Sequence, residues 1–138
     1  MKIGYITDKG RRRPKNEDAL RVLPEHNFFM LADGVGGNRS GEIASRTALD
    51  ALQKFIEHNP LGRLGGRDEV FRYFEAAVAF VDNAIMTISE AEPSYVGMAT
   101  TLVFAYIDDR IMYIANVGDS RAYLVHRGEM RQITEDHT

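Results

Sequence analysis

The sequence predicts an α+β fold built in layers, with strands first, then two helices, then strands again. Three observations carry this. Two short apolar runs, 19–23 and 28–32, flank Pro24-Glu25-His26-Asn27, which reads as a hairpin turn. Between Gly41 and Pro93 the apolar residues recur at helical spacing. From Thr100 the chain breaks into four short apolar runs separated by turn residues.

In chain order, residues 2–7 read as a strand that Asp8-Lys9-Gly10 turns, and the hairpin 19–32 follows. The first helix is expected over 41–58, because Ala44, Ala48, Ala51, Leu52 and Phe55 recur at three and four and Asn59-Pro60 ends it. Ser40 suits its cap, and Glu42 suits the positive end of its dipole. After a glycine-rich loop, 61–66, Asp68 caps a second helix. Val70, Phe74, Ala77, Val81, Ala84 and Ile88 form its apolar face, and Pro93 closes the helical region. Both stripes read as core that packs on a sheet. The last strands are expected over 102–107, 111–116, 122–127 and 130–133, with turns at Asp108-Asp109 and Gly128-Glu129.

Composition sets bounds more than it informs. A chain of 138 residues with 44% hydrophobic content is large enough for one domain with a real core, and its balance suits a cytoplasmic globular protein. A net charge of −3 argues against a nucleic-acid footprint, which needs a basic excess. With no cysteine there is no disulfide and no thiolate ligand, so any metal is held by oxygen or imidazole. No apolar run approaches the roughly 18 residues that span a bilayer.

The most informative stretch is Leu31-Ala32-Asp33-Gly34-Val35-Gly36-Gly37. An apolar strand stops on one carboxylate, and glycines clear the space around it, so that carbonyls and water can approach the same hard cation. On these residues alone, an Asp-Gly turn explains the pattern more simply. Asp18 and Asp119 stand at the ends of other apolar segments, and no cluster of histidines accompanies them. Oxygen ligands of this kind suit Mg²⁺ or Mn²⁺ rather than zinc. His26, His58 and His126 read as solvent-facing and His137 as structural. For Arg11, Arg12 and Lys15 a solvated loop is the simpler account, with steering of an anionic substrate as the alternative.

Four further segments keep company with Asp33. They are Arg13-Pro14-Lys15-Asn16-Glu17-Asp18, Gly97-Met98-Ala99-Thr100-Thr101, Asn116-Val117-Gly118-Asp119-Ser120-Arg121-Ala122-Tyr123 and Glu135-Asp136-His137-Thr138. In this order, and across essentially the whole chain, they resemble the metal-dependent protein serine/threonine phosphatases of type 2C in their bacterial form. The resemblance implies an antiparallel β-sandwich with a helix pair outside each sheet. It implies hydrolysis of phosphoserine and phosphothreonine in proteins by metal-activated water, with two Mn²⁺ or Mg²⁺ and a third, weaker metal. In that pattern Asp33 bridges both metals and Gly34 adds its carbonyl. Asp18, with Glu17 beside it, holds water bound to them. Arg13 grips the substrate phosphate, and Asp119 contacts the third metal. The implied partners are phosphorylated proteins, opposite a serine/threonine kinase, with neither nucleic acid nor membrane.

Departures from the pattern also matter. Val35 stands where some members carry a histidine as general acid, and Ala99 stands where glycine is usual. The family's two later aspartates, in Asp-Gly and Asp-Asn motifs, do not occur before Thr138, and neither do its last strands. Residues 1–138 are therefore expected to be the N-terminal part of a single catalytic domain, inactive alone and prone to self-association or strand swapping through open sheet edges. The alternative is a non-catalytic half-domain that binds phosphoproteins or partner chains.

Overall fold

The computed structural model describes residues 1–36, 40–62 and 66–137. Strands β1 (Asp18–Leu23) and β2 (Phe28–Val35) form the expected hairpin, joined by a 3-10 turn at Pro24–His26. Asn27 leaves that turn in the left-handed region at φ 56°, a conformation asparagine tolerates well. Helices α1 (Ser40–His58) and α2 (Arg67–Ala91) follow. A short strand β3 (Ala99–Thr100) leads into β4 (Leu102–Asp108) and β5 (Ile111–Val117), and β6 (Tyr123–His126) and β7 (Glu129–Gln132) close the chain.

All strand pairing is antiparallel. The main sheet runs β1-β2-β4-β5, with β3 attached to the end of β2, and among the described residues β6 pairs only with β7. Side chains alternate across β2, and this decides the layers. Phe28, Met30 and Ala32 point to the helices, where they meet Ala48, Leu52 and Ile56 of α1, Val70, Phe74, Ala77 and Val81 of α2, and Leu102 and Phe104 of β4. Aromatic rings fill the centre: Phe74 meets Phe104 edge-on at 4.7 Å, and Phe28 stacks on Tyr106 at 5.1 Å. The opposite face carries Leu20, Val22, Phe29, Leu31, Val103, Ala105, Met112 and Ile114. It borders an open cavity of about 550 Å³ against Ile3, Tyr5, Ile6, Tyr123 and Ile133.

The α+β reading and the two helix stripes match the structure, and one helix pair covers one sheet face. Four local expectations do not hold. Residues 2–7 form no strand: their alternation is strand-like, yet no strand among the described residues pairs with them, and Tyr5 and Ile6 are largely exposed. Asp68 is not the cap of α2. Gly66 flanks that helix, its carbonyl accepting from the N–H groups of Glu69 and Val70, and Asp68 lies inside the first turn, where its charge suits the dipole. Both late turns are displaced by one residue, to Asp109-Arg110 and Arg127-Gly128. Arg127 and Gly128 both have positive φ, 52° and 83°, the geometry a two-residue hairpin favours. Ser40 is the first residue of α1. The expected loop 61–66 falls partly on residues 63–65, outside the described residues. No helix among the described residues is long and apolar enough to cross a membrane.

Candidate functional site

The β1–β2 register places Asp18 directly opposite Asp33. Residues paired in this way project to the same face, so two carboxylates meet where the hairpin reaches its open end. The consequence shows in Asp33, whose carboxyl is pushed above the ordinary aspartate range. Burial is the largest cause, followed by the charge of Asp18 and a side-chain hydrogen bond with it. Arg13 pulls the value back down, and Asp119 adds a smaller upward push. Four of the residues singled out from sequence thus act on one spot.

The backbone around Asp33 is held unusually tightly. Its N–H donates to Thr101 Oγ1 at 3.0 Å, and its carbonyl accepts from the Thr101 N–H at 2.9 Å. Thr101 is buried, and its Oγ1 also lies 2.6 Å from Ser120 Oγ, the residue after Asp119. Gly118 carries φ +98°, and a Cβ there would sit 2.8 Å from Thr101 Cγ2, so that turn needs glycine twice over. The turn is tied down from the C-terminal side as well. The Gly118 carbonyl accepts from the His137 N–H at 2.9 Å, and Asn116 Nδ2 donates to the Glu135 carbonyl at 2.8 Å. Arg121 grips Asp136 bidentately at 2.9 and 2.7 Å, which holds that carboxyl below the ordinary range.

On the other side, the Gly34 N–H donates to the Glu17 carbonyl at 3.1 Å, and the start of α1 presses against both residues. Glu17 Oε1 sits 2.7 Å from where a Cβ on Gly41 would lie, so its carboxylate faces the helix's positive end. Arg13 reaches Glu17 at 3.8 Å and is otherwise exposed, with donors left over for an anion. Lys15 joins Glu42 at 3.7 Å, and Arg46 meets the same carboxylate at 3.0 Å. His58 caps its own helix end against the Lys54 carbonyl at 2.7 Å, and His126 is exposed. Gly37 and Thr138 lie outside the described residues.

Sequence reasoning took Thr100-Thr101 only as part of a motif and missed what Thr101 does. The available signal was weak, a β-branched hydroxyl residue just ahead of an apolar strand, because its position across from Asp33 follows only from the register. A sequence model of the family "Protein phosphatase 2C" matches residues 9–138. The chain belongs to the protein phosphatase 2C family. It is 36% identical over 141 residues to serine/threonine phosphatase stp of Listeria innocua, covering all of this chain and 55% of that protein. It is 36% identical over 138 residues to serine/threonine protein phosphatase PstP of Mycobacterium tuberculosis, covering all of this chain and 25% of that one. Among solved structures it resembles the catalytic domain of PstP in complex with two manganese ions, with a TM-score of 0.79 and 36% identity, over 94% of this chain and 53% of that one. This phosphatase 2C chain thus spans about half the length of the Listeria relative.

The donor set fits a hard dication in its chemistry but only in part by number. Asp18 and Asp33 are forced together by the sheet and repel, which is the situation a cation relieves. Yet no group of three or more aspartate, glutamate or histidine side chains that could hold a metal occurs among the described residues.

Proposed function

We propose that the protein carrying this chain is a Mn²⁺- or Mg²⁺-dependent phosphatase acting on phosphoserine and phosphothreonine in proteins. The observation that supports it is the Asp18–Asp33 pair facing across the β1–β2 ladder, with Arg13 and Asp119 acting on it. Asp33 and the Gly34 carbonyl would hold the ions, with Asp33 serving as the shared carboxylate, and Asp119 would address a further, weaker one. Asp18 orients water at the site, and Glu17 aligns Arg13 from behind. The ions, when bound, supply hydroxide near neutral pH and neutralise charge on the phosphoryl group. Arg13 holds two phosphate oxygens with its planar fork and so sets the ester in place. Val35 offers no proton to the leaving group, so that proton comes from water or from another residue.

The substrates in this reading are phosphoproteins made by a serine/threonine kinase, met in the cytoplasm. Residues 1–138 contribute only part of the ligand set and are inactive alone. The partly open outer face and the edges of β1 and β5, unpaired among the described residues, favour self-association of that piece. A second reading, a phosphoprotein-binding half-domain without turnover, is favoured by the lack of a three-residue metal group among the described residues.

One assay separates the two readings. Purified full-length protein is expected to release phosphate from a phosphoserine peptide only with Mn²⁺ or Mg²⁺ present, and residues 1–138 alone are expected to show little turnover. Arg13→Ala is expected to raise KM by about tenfold and to change kcat less, because the fork grips phosphate in ground and transition states alike. An unchanged KM would place Arg13 in solvent. Tight peptide binding with no metal-dependent turnover would establish the binding module instead.

A further inference from the structure

We infer that the Thr101 and Ser120 hydroxyls are positioning groups that aim Asp33 and lock its distance to the Asp119 turn. The inference rests on the metal-site reading above and adds a role for two residues outside the ligand set. Leu31 pairs with Val103 and Gly34 with Thr100, so the register leaves Asp33 opposite Thr101. In a regular antiparallel ladder such a pair exchanges two backbone bonds. Here only one forms, from the Thr101 N–H to the Asp33 carbonyl at 2.9 Å. The Asp33 N–H turns to the Thr101 hydroxyl at 3.0 Å, and the Thr101 carbonyl accepts from the Thr100 hydroxyl at 2.9 Å. A side chain has replaced a rung of the sheet at the one residue whose carboxylate the site needs most.

That replacement links two elements the sheet does not join. A hydroxyl accepts twice and donates once, so Thr101 Oγ1 can hold the Asp33 N–H and still bond Ser120 Oγ at 2.6 Å. Ser120 is covalently next to Asp119, and Gly118 on the other side abuts the Thr101 methyl. The Asp33 strand and the Asp119 turn are therefore pinned through one buried residue, about 8% exposed. Loss of the hydroxyl leaves the Asp33 N–H without its partner or returns it to the Thr101 carbonyl. Either change re-aims the carboxylate. Ligand-supporting hydrogen bonds of this sort are worth about 10- to 100-fold in metal affinity.

The test measures Mn²⁺ binding to the full-length protein by calorimetry, independently of turnover. Thr101→Val, which keeps the shape and removes the hydroxyl, is expected to weaken binding by about tenfold. Thr101→Ser is expected to restore it. Ser120→Ala is expected to weaken binding less, and the Thr101→Val/Ser120→Ala double variant to lose less than the sum of the two, as one shared bond requires. Asp33→Asn is the control. If Asp33→Asn binds Mn²⁺ normally, the metal-site reading fails. If Asp33→Asn loses binding while Thr101→Val binds like wild type, only the positioning role fails. A Thr101→Ser variant as weak as Thr101→Val, with the same melting temperature as wild type, also overturns it, because the methyl rather than the hydroxyl would then matter.

Discussion

Asp33→Ala is expected to lower kcat for Mn²⁺-dependent hydrolysis of a small aryl phosphate by at least about a thousandfold, a loss of about 4 kcal/mol of transition-state stabilisation. The size follows from position. Asp33 stands at the centre of the local field, opposite Asp18 and acted on by Arg13 and Asp119, so its removal takes away the carboxylate proposed above as the shared ligand. The fold should survive the change. Asp33 carries a raised carboxyl because burial and Asp18 both disfavour its charge, so the metal-free variant is relieved of repulsion. Its melting temperature without metal should be no lower than that of the wild type. Turnover within about tenfold of wild type would remove Asp33 from the chemistry.

Gly34→Ala should be the most damaging added methyl among the described glycines. A Cβ at Gly34 would land on the Gly41 carbonyl, and it would also come within 2.9 Å of the Glu17 carbonyl oxygen. Both obstacles are backbone, one at the start of α1 and one leading into β1, so no side chain can swing aside. A destabilisation of about 3 kcal/mol is expected, the upper end for overpacking. Urea unfolding at two denaturant-matched protein concentrations measures it. A loss below about 1 kcal/mol would mean that α1 slides away from β2 freely. Because the Gly34 carbonyl faces the start of α1 at 3.0 Å from a Gly41 Cβ position, the same variant should also weaken Mn²⁺ binding.

The sequence was most legible where one face of an element is covered. The stripe Val70, Phe74, Ala77 and Val81 is buried as its spacing requires, and β2 alternates as Phe28, Met30 and Ala32 predict. It was least legible where an element needs a partner that local pattern cannot supply. Ile3, Tyr5 and Ile6 alternate like a strand, yet pairing is a property of two segments, and residues 2–7 find none. At the site, Asp18, Asp33 and Asp119 could be picked out because each borders an apolar run, Asp18 at its start and the other two at its end. Their convergence came from resemblance, since no spacing along the chain brings 18, 33 and 119 together. Thr101 stayed hidden for a related reason. A threonine between two strand segments is unremarkable until the register shows that Asp33 lies across from it.

The order of strands also has a kinetic consequence. Three of the ladders, β1–β2, β4–β5 and β6–β7, are hairpins closed by short turns and can form locally. The β2–β4 seam joins Leu31 to Val103 with both helices in between. Closing that loop carries the largest entropic cost among these ladders, so it is the step expected to limit the folding rate. Phe104, which pairs with Met30 across the seam, is the probe. Phe104→Leu is expected to slow refolding roughly in proportion to the stability it loses; faster unfolding with unchanged refolding would show that the seam closes after the barrier. Asp33 and Thr101 lie on this same seam, so the site is expected to form as the chain crosses its barrier and not before it.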